Sequence, residues 1–368
     1  MMMKNITIIG GSVAAWLAAV VFTKKKYHVN IFEGDSNSFG SQQISPNGWL
    51  ALNQICNIEH VEPIFEPFNT IHIKKINSEQ TLEFLTNYDL INKVSNYGSI
   101  SREDIIEIFK TQALKSKRVK IYSSKIDHIV ANGLNKELLD SEGRLFESDF
   151  IIGADGVNGI SRKFVVGSKK NIGFKKIFRA VSLDNCQYQL TKRMLQILIH
   201  SEGYYVIYPT IIKKKKATNY IFVPNKNNTT PPKFLNSTLL YLIPNELHWI
   251  STHVQKNLKE KTSIYKQGTF LFGDAAFPTL PHLAQGGNQI LEDAVFLKNF
   301  LEHSDNLDEL VNSFIRARYL KRDLISKKSE LIGKLLSSKN LTGHIRNFAI
   351  QSNGKDLIDN FLNPIWTS

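Results

Sequence analysis

The most constraining feature of this chain is the stretch from 269 to 294. Thr269–Phe272 is a short apolar run that predicts a buried strand, and it stops at Gly273-Asp274. A proline-containing loop follows, and the step Gly286-Gly287-Asn288 opens a predicted helix over 289–301. A helix N-terminus behind glycines offers free backbone N–H groups and the positive end of the helix dipole, and an aspartate after a strand can accept from a hydroxyl. The pattern therefore predicts a site for a polyhydroxylated ligand on which negative charge develops.

The N-terminal residues predict a strand–helix–strand unit. Asn5–Ile9 is an apolar strand, Val13–Thr23 an alanine-rich helix, and Tyr27–Glu33 a second strand that ends in an acid. The loop after the first strand follows the G-x-G-x-x-G frame, with Ser12 at the second glycine and Ala15 at the third. Glycines there let the backbone approach a pyrophosphate, and an acid at the end of the second strand accepts from a ribose 2′-hydroxyl. The cofactor-binding residues predicted here are Gly10, Ser12, Val13, Ala14, Ala15 and Glu33; the Ser12 hydroxyl either donates to a phosphate or weakens binding.

Composition narrows the class of protein. The 368 residues have room for two domains, and 42% hydrophobic with 21% charged residues is typical of a globular chain. No apolar run reaches the roughly 20 residues of a membrane-spanning helix, and the first strand begins too early for a signal peptide. The two cysteines, Cys56 and Cys186, form no motif, so we expect free thiols and a cytoplasmic location. The net charge of +13 is scattered, which argues against nucleic-acid binding.

The rest of the chain predicts a discontinuous organisation. Short alternating strands with proline and asparagine turns fill about 172–265, with Lys213–Lys216 as an exposed hairpin turn. We therefore predict an α/β fold: a Rossmann-type domain with an inserted, mostly antiparallel β-sheet substrate domain and a C-terminal helical segment. The predicted boundaries are 1–70, 97–170 and 266–325 for the nucleotide-binding domain, 71–96 and 171–265 for the substrate domain, and 326–368 for the C-terminal segment.

Four blocks, taken in order, resemble the class A FAD-dependent aromatic monooxygenases, the superfamily of salicylate and p-hydroxybenzoate hydroxylases. The strongest is the Gly-Asp motif of 271–294, followed by Asp155-Gly156 with Ser161-Arg162. Ser101-Arg102-Glu103-Asp104 resembles the family's His-Arg-x-Asp-Leu segment, with serine in place of histidine. Gly40–Leu52 resembles the block after the ribose-binding acid, although Gly34 replaces the basic residue expected after Glu33.

This resemblance implies a chemistry and a set of contacts. It implies non-covalent FAD, reduction by NAD(P)H, and hydroxylation of a small phenolic or polyketide-like aromatic substrate by O2 through a flavin C4a-hydroperoxide. Asp274 would accept from a ribitol hydroxyl, the N–H groups of 286–288 would face the flavin N1–C2=O edge, and Pro281 would exclude water. The cofactor-binding residues that the resemblance adds are Arg102, Asp155, Gly273, Asp274, Pro281, Gly286, Gly287 and Asn288.

Residues that handle the substrate are harder to find in the sequence. His282 lies in the loop next to the predicted flavin position, and a histidine can serve as a base near neutral pH. Arg179 could hold a carboxylate or touch the flavin. These two are the catalytic candidates, with His200, Tyr205 and Tyr208 as pocket candidates; for each of the five, local packing is the competing interpretation.

Alternative functions stay open at this point. The same scaffold serves flavin-dependent reductases or dehydrogenases, and loss of FAD through Ser12 would leave a non-catalytic binding protein. Attachment to a membrane surface through the basic helix Arg316–Lys339 is not expected, because its apolar positions can equally pack on the protein. The expected partners are a small aromatic substrate and O2, with no metal and no nucleic acid, in a monomer or homodimer.

Overall fold

The computed structural model describes residues 4–25, 27–34, 38–91, 96–132, 135–167, 174–183, 193–227, 229–255 and 263–367. The strands are β1 (Asn5–Ile9), β2 (His28–Phe32), β3 (Ser41–Ile44), β4 (Glu66–Pro67), β5 (Thr70–Ile76), β6 (Leu82–Asp89), β7 (Gly98–Ser101), β8 (Val119–Tyr122), β9 (Ile126–Asn132), β10 (Asn135–Asp140), β11 (Leu145–Ser148), β12 (Phe150–Gly153), β13 (Phe174–Ser182), β14 (Met194–His200), β15 (Gly203–Ile212), β16 (Lys215–Pro224), β17 (Ile250–Gln255), β18 (Tyr265–Lys266) and β19 (Thr269–Leu271). The helices are α1 (Val13–Lys24), α2 (Pro46–Ile55), α3 (Arg102–Leu114), α4 (Ile160–Val166), α5 (Ser237–Leu242), α6 (Gly286–His303), α7 (Leu307–Leu336) and α8 (Asn340–Trp366).

A six-stranded sheet carries the N-terminal unit. Its order is β18-β19-β12-β1-β2-β8, and every neighbouring pair is parallel except β18 with β19. Because β1 is buried on both faces from Ile6 to Ile9, it belongs in the middle of a sheet covered on both sides. Helix α1 is buried along its whole length from Val13 to Thr23, as expected of a helix that is apolar all round. The Rossmann-type prediction is confirmed.

A seven-stranded sheet forms the second layer of the molecule. Its order is β17-β13-β16-β15-β14-β5-β6, antiparallel except for the pair of β14 with β5. Side chains alternate between its two faces. We call the face that carries Tyr204 and Tyr208 the inner face, because it packs on Leu283 of the Gly-Asp region and on Trp366. The outer face carries Tyr205 and Phe222 and is covered by Phe234 and α5.

Two small sheets and a lysine turn complete the β structure. The strands β3-β7-β4 form one sheet and β11-β10-β9 the other. The predicted exposed hairpin lies between β15 and β16, where Lys213 and Lys214 both adopt positive φ, as a tight two-residue hairpin turn requires. Cys56 is buried and free, and Cys186 lies outside the described residues.

The C-terminal helices close the inner face of the seven-stranded sheet. Helix α7 runs unbroken from Leu307 to Leu336, so the boundary predicted between 325 and 326 falls inside a helix. Helix α8 leaves helical geometry at Asn353, and its end brings the Trp366 ring to 5.5 Å from the Tyr97 ring. Within the described ranges, no helix is both long enough and apolar enough to cross a bilayer.

Candidate active site

Three of the sequence motifs meet at one edge of the six-stranded sheet: the Gly10 loop, the Asp155 block and the Gly-Asp block. The parallel neighbours β1, β12 and β19 all end there, and each is followed by one of the motifs. A Cβ on Gly10 would lie 2.4 Å from the Ala154 carbonyl oxygen, and a Cβ on Gly273 would lie 2.7 Å from the Ala14 Cβ. Both glycines have positive φ, +128° and +62°. Only glycine permits this close approach, which places the three motifs around one crevice at the carboxyl ends of the strands.

The N-terminus of α1 is free to receive an anion. Ser12 precedes the helix with an extended backbone, and its side chain makes no capping hydrogen bond. The first turn contains no acid and has no side-chain cap, so within the described residues this helix start keeps its positive dipole end for a ligand. The Ser12 side chain is exposed, so its hydroxyl is available as a donor instead of being committed to the helix.

Glu33 lies at the end of β2 and is held by a lysine from α3. Lys110 Nζ is 3.1 Å from Glu33 Oε1, and both side chains are partly buried. The same ammonium group lies 5.1 Å from the centre of the Trp16 ring, a cation–π distance. The sequence lacks the basic residue expected directly after Glu33, and Lys110 places a positive charge beside this carboxylate from a distant part of the chain.

The Asp155 block is committed to structure more than the sequence suggests. The Asp155 carboxylate accepts from the Ser161 backbone N–H at 3.0 Å and from the Ser161 hydroxyl, so it caps α4. A Cβ on Gly159 would lie 2.0 Å from that carboxylate, which explains the glycine. Arg162 is buried and donates to the Ala275 carbonyl oxygen, and it thereby ties this block to the Gly-Asp loop. The carboxylate predicted to contact the cofactor thus has its hydrogen bonds inside the block.

The first turn of α6 has free space at Gly286 and close packing at Gly287. A Cβ added at Gly286 would meet nothing within 4 Å, whereas one at Gly287 would lie 2.9 Å from Gln42. The first turn holds no acid and has no side-chain cap, so its N–H groups are free. The Asn288 amide accepts from the Ser45 N–H at 3.1 Å and donates to the Ala284 carbonyl oxygen at 2.8 Å. Asn288 therefore anchors the helix to its surroundings, and only its backbone N–H remains for a ligand. The other two predicted loop residues, Pro281 and His282, lie in the short 3-10 turn before it.

Asp274 stands among three arginines. Partial desolvation by the surrounding protein raises its pKa, although the side chain is solvent-accessible, and Arg322, Arg102 and Arg179 act in the opposite direction. Burial, and then repulsion by Arg102, lower the pKa of Arg179 to about 9. The Arg179 Nε is buried and has no hydrogen-bond partner among the described residues. This group carries excess positive charge next to the Gly-Asp loop.

Tyr208 joins this cationic group from β15. Its hydroxyl donates to the Ser41 carbonyl oxygen at 3.3 Å, and Arg102 and Arg179 exert their positive charge on it. Burial nevertheless dominates and raises its pKa. Arg102 itself donates to the Phe39 carbonyl oxygen at 3.2 Å. The structure therefore brings Arg102, Arg179, Tyr208 and Asp274 together.

His282 faces a tyrosine and a helix. Its Nδ1 lies 2.6 Å from the Tyr204 hydroxyl, and a Cβ on Gly333 of α7 would lie 2.4 Å from its Nε2. Burial, and then the charge of Lys175, lower its pKa to about 4. The ring is therefore neutral near pH 7 and is enclosed by packing on both of its nitrogens.

Two of the pocket candidates, His200 and Tyr205, lie on the outer face of the sheet. Tyr205 neighbours Tyr204 in β15 and so faces outward, where its ring packs 4.7 Å from that of Phe222. His200 also faces outward and packs edge-on against Phe234, while its Nδ1 accepts from the Glu202 N–H at 3.2 Å. Period-2 alternation prevents Tyr205 and Tyr208 from sharing a face, so neither His200 nor Tyr205 reaches Arg179.

Sequence reasoning missed a buried ionic network behind the Gly-Asp loop. Asp293 is fully buried and accepts from Arg318 Nε at 2.6 Å and from Arg322. Arg318 also reaches Glu292 at 2.8 Å, and the Arg322 guanidinium lies 5.1 Å from the Phe277 ring centre. The available signal was an adjacent acid pair in one apolar helix and arginines four residues apart in the next.

Comparison with known proteins agrees with this geometry. The family model described as "FAD binding domain" matches residues 131–304. Kynurenine 3-monooxygenase of Legionella pneumophila strain Corby is 22% identical, over 89% of this chain and 79% of its own length. The FAD-dependent monooxygenase andE of Emericella variicolor is also 22% identical, over 88% of this chain and 78% of its own length.

Solved structures share the whole fold. HpxO of Klebsiella pneumoniae, complexed with FAD and uric acid, superimposes with a TM-score of 0.78 at 15% identity, over 98% of this chain and 96% of its own. For 2,6-dihydroxypyridine-3-hydroxylase of Arthrobacter nicotinovorans the TM-score is 0.72 and the identity is 17%, over 91% of this chain and 93% of its own. For a salicylate hydroxylase in a substrate complex the TM-score is 0.71 and the identity is 17%, over 100% of this chain and 96% of the other. The motif-based recognition is confirmed: the chain matches an FAD binding domain over 131–304 and is similar over most of its length to FAD-dependent monooxygenases.

Proposed function

We propose that this protein uses NAD(P)H and O2 to hydroxylate a small aromatic substrate that carries a phenolic or other acidic group. The observation that carries the proposal is the cluster of Arg102, Arg179 and Tyr208 beside Asp274, where the Gly-Asp loop meets the inner face of the seven-stranded sheet. Two arginines next to an aromatic face suit an anionic, electron-rich ring.

The residues fit FAD. The crevice between the Gly10, Ala154 and Gly273 backbones and the free N-terminus of α1 would hold the pyrophosphate. Glu33 would accept from the adenosine ribose and Asp274 from the ribitol chain. Bound FAD would supply the transfer of electrons from NAD(P)H to O2 and of one oxygen atom to the substrate.

Lys110 orients the ribose-binding acid. Its ion pair with Glu33 fixes one carboxylate oxygen at 3.1 Å and leaves the other for ribose hydroxyls. We expect Lys110→Gln to weaken FAD binding about 5-fold, because a carboxylate held in place loses less rotamer entropy on binding. Lys110→Arg should restore most of the affinity. Fluorescence titration of the flavin-free protein with FAD measures the affinity of both variants.

The positive charge near Asp274 has two uses. The free N-terminus of α6 and the arginines stabilise negative charge on the flavin and on the substrate. A cation close to a phenol lowers the pKa of that phenol, because it favours the charged form. Arg179, whose Nε has no partner among the described residues, is the residue that would hold the acidic group of the substrate.

The substrate ring would lie along an aromatic wall of the inner face. Phe68 contacts the rings of Tyr208 and Tyr97 with centroid distances of 5.6 and 5.3 Å, and Tyr97 contacts Trp366. These rings offer a dry apolar surface next to the arginines. In this arrangement His282 does not serve as a base. Its pKa of about 4 makes it a weak proton acceptor, and its hydrogen bond with Tyr204 fixes the loop that ends at Gly286.

The test measures flavin content, the coupling of NAD(P)H oxidation to substrate hydroxylation, and the effect of one variant, Arg179→Gln. The purified protein is expected to show oxidised-flavin absorbance, and a panel of phenols is expected to include compounds that stimulate NAD(P)H oxidation and are recovered with one added oxygen. Arg179→Gln should raise KM for acidic substrates at least ~10-fold, as expected for the loss of a charge-assisted hydrogen bond, while FAD stays bound. Stimulated NAD(P)H oxidation without oxygenated product would support a reductase or dehydrogenase instead. A protein that cannot be loaded with FAD would support a non-catalytic binding protein.

A further inference from the structure

An open basin lies between the C-terminal ends of α1 and α3. Its volume is about 490 Å³, within the range of small-molecule sites. Helix α1 contributes Val20, Thr23 and Lys24 to the wall, and the remaining lining comes from the end of α3 and the turn that leads into β8. The lining residues are Val20, Thr23, Lys24, Gln112, Lys115, Ser116, Lys117 and Arg118.

Four of these lining residues are cationic: Lys24, Lys115, Lys117 and Arg118. Among the residues that the structure describes, no carboxylate lines the basin, and none makes an ion pair with these four side chains. Burial, and then repulsion by Lys298 outside the basin, lower the pKa of Lys24, whereas Glu302 acts in the opposite direction.

Structure alone accounts for only part of this charge. Cations near a helix C-terminus interact favourably with its dipole, which explains Lys24 in α1 and Lys115 after α3. Lys117 and Arg118 lie beyond the helix, in the turn before β8, where that effect has faded. Their side chains nevertheless line the same basin.

The basin is separate from the flavin site. It lies at the far end of α1 from the Gly10 loop, and a helix from Val13 to Lys24 is about 18 Å long at 1.5 Å per residue. None of the residues predicted to hold FAD lines it. A ligand bound here therefore occupies a second site.

We propose that this basin binds a soluble anion that carries two or more phosphate groups. Four cationic side chains exceed what a single carboxylate or one phosphate can balance, whereas an oligophosphate spreads several charges over the width of the basin. The Ser116 hydroxyl and the Gln112 amide add neutral polar groups to the rim. The concave shape favours a soluble molecule over a flat lipid surface.

The experiment titrates the FAD-loaded protein with tripolyphosphate in a calorimeter, at low and at high ionic strength. The basin variant combines Lys115→Gln, Lys117→Gln and Arg118→Gln. The control variant combines Lys214→Gln, Lys215→Gln and Lys226→Gln, which removes the same charge from exposed positions of the seven-stranded sheet. We expect one site in the parent protein and in the control, and affinity at least ~10-fold weaker, or ~1.4 kcal/mol, in the basin variant. The binding should weaken with salt.

Three results would overturn the proposal. Equal losses in the two variants would mean that only net charge matters, and the lack of a saturable site in the parent would mean that no site exists. Binding to phosphatidylcholine vesicles that contain a phosphoinositide, with none to tripolyphosphate, would assign the basin to a lipid headgroup. Unchanged flavin absorbance in both variants is the check that they fold.

Discussion

Replacing Gly273 by alanine tests whether the close approach of the Gly-Asp loop to α1 builds the FAD site. The added Cβ would lie 2.7 Å from the Ala14 Cβ, whereas ordinary contacts begin near 3.4 Å, so the loop must move by about 0.7 Å. The residue must also keep a φ of +62°. The left-handed conformation costs about 1–2 kcal/mol and the overpacking about 1–3 kcal/mol.

A second glycine separates these two costs. Gly143 lies in the turn between β10 and β11 with a φ of +77°, and a Cβ there would meet nothing within 4 Å. Gly143→Ala should therefore lower the free energy of unfolding by the backbone cost alone, about 1–2 kcal/mol, and leave FAD binding unchanged. Gly273→Ala should lower it by about 2–5 kcal/mol, the sum of both costs.

The effect on FAD comes from the displacement of Asp274. A shift of this size breaks one hydrogen bond to a charged group, worth about 1.5–3 kcal/mol, so the dissociation constant for FAD should rise ~10- to 100-fold. Urea unfolding measures the stability of both variants, and fluorescence titration measures FAD affinity. Equal destabilisation by the two substitutions, together with unchanged FAD affinity, would refute the reasoning.

Three further predictions address other parts of the site. Asp293→Asn should cost about 3–5 kcal/mol in urea unfolding, because the buried Arg322 guanidinium loses its carboxylate partner, whereas Glu142→Gln in an exposed pair should cost less than about 1 kcal/mol. His282 has a folded pKa of about 4 against 6.5 for an ordinary histidine, so the unfolded chain binds more protons between these values; stability should fall as the pH drops from 6.5 to 4, and His282→Asn should flatten that profile. Tyr208→Phe should lower kcat/KM for the preferred phenol by about 5- to 10-fold, because the ring beside the arginines loses the hydrogen bond to Ser41 that fixes its position. Tyr205→Phe on the outer face should leave kcat/KM within about 2-fold.

The parts of the fold with a strong local pattern could be predicted from the sequence. Predicted and observed bounds agree within a residue for α1 and β19, because an unbroken apolar run has few other ways to be buried. The strand after α1 was predicted as Tyr27–Glu33 and is observed as His28–Phe32. Helix α6 begins at Gly286, three residues before the predicted start, because the two glycines already belong to its first turn. The domain boundaries stay a prediction. The one predicted between 325 and 326 falls inside α7, which runs from Leu307 to Leu336.

The candidate site was harder to predict where a residue's role depends on side chains that are near it in space but not in sequence. Asp155 and Asn288 were assigned to the cofactor, yet their side chains bond to Ser161 and to Ser45. Such partners are distant in sequence or depend on a turn geometry that spacing does not reveal. The sequence alone could have shown that Tyr205 and Tyr208 face opposite sides of the sheet, because they are three positions apart in one strand, β15.

The convergence of the three loops links cofactor supply to folding. Ala14, Ala154 and Gly273 meet at one edge of the sheet, although they are more than 100 residues apart in the chain. None of the three loops forms the crevice alone, so FAD binds only after long-range pairing of β1, β12 and β19. A ligand that binds only the native state stabilises it by RT ln(1 + [L]/Kd), about 2.7 kcal/mol at 100 times Kd. The concentration of free FAD during synthesis should therefore set how much of the newly made chain survives to reach its folded form.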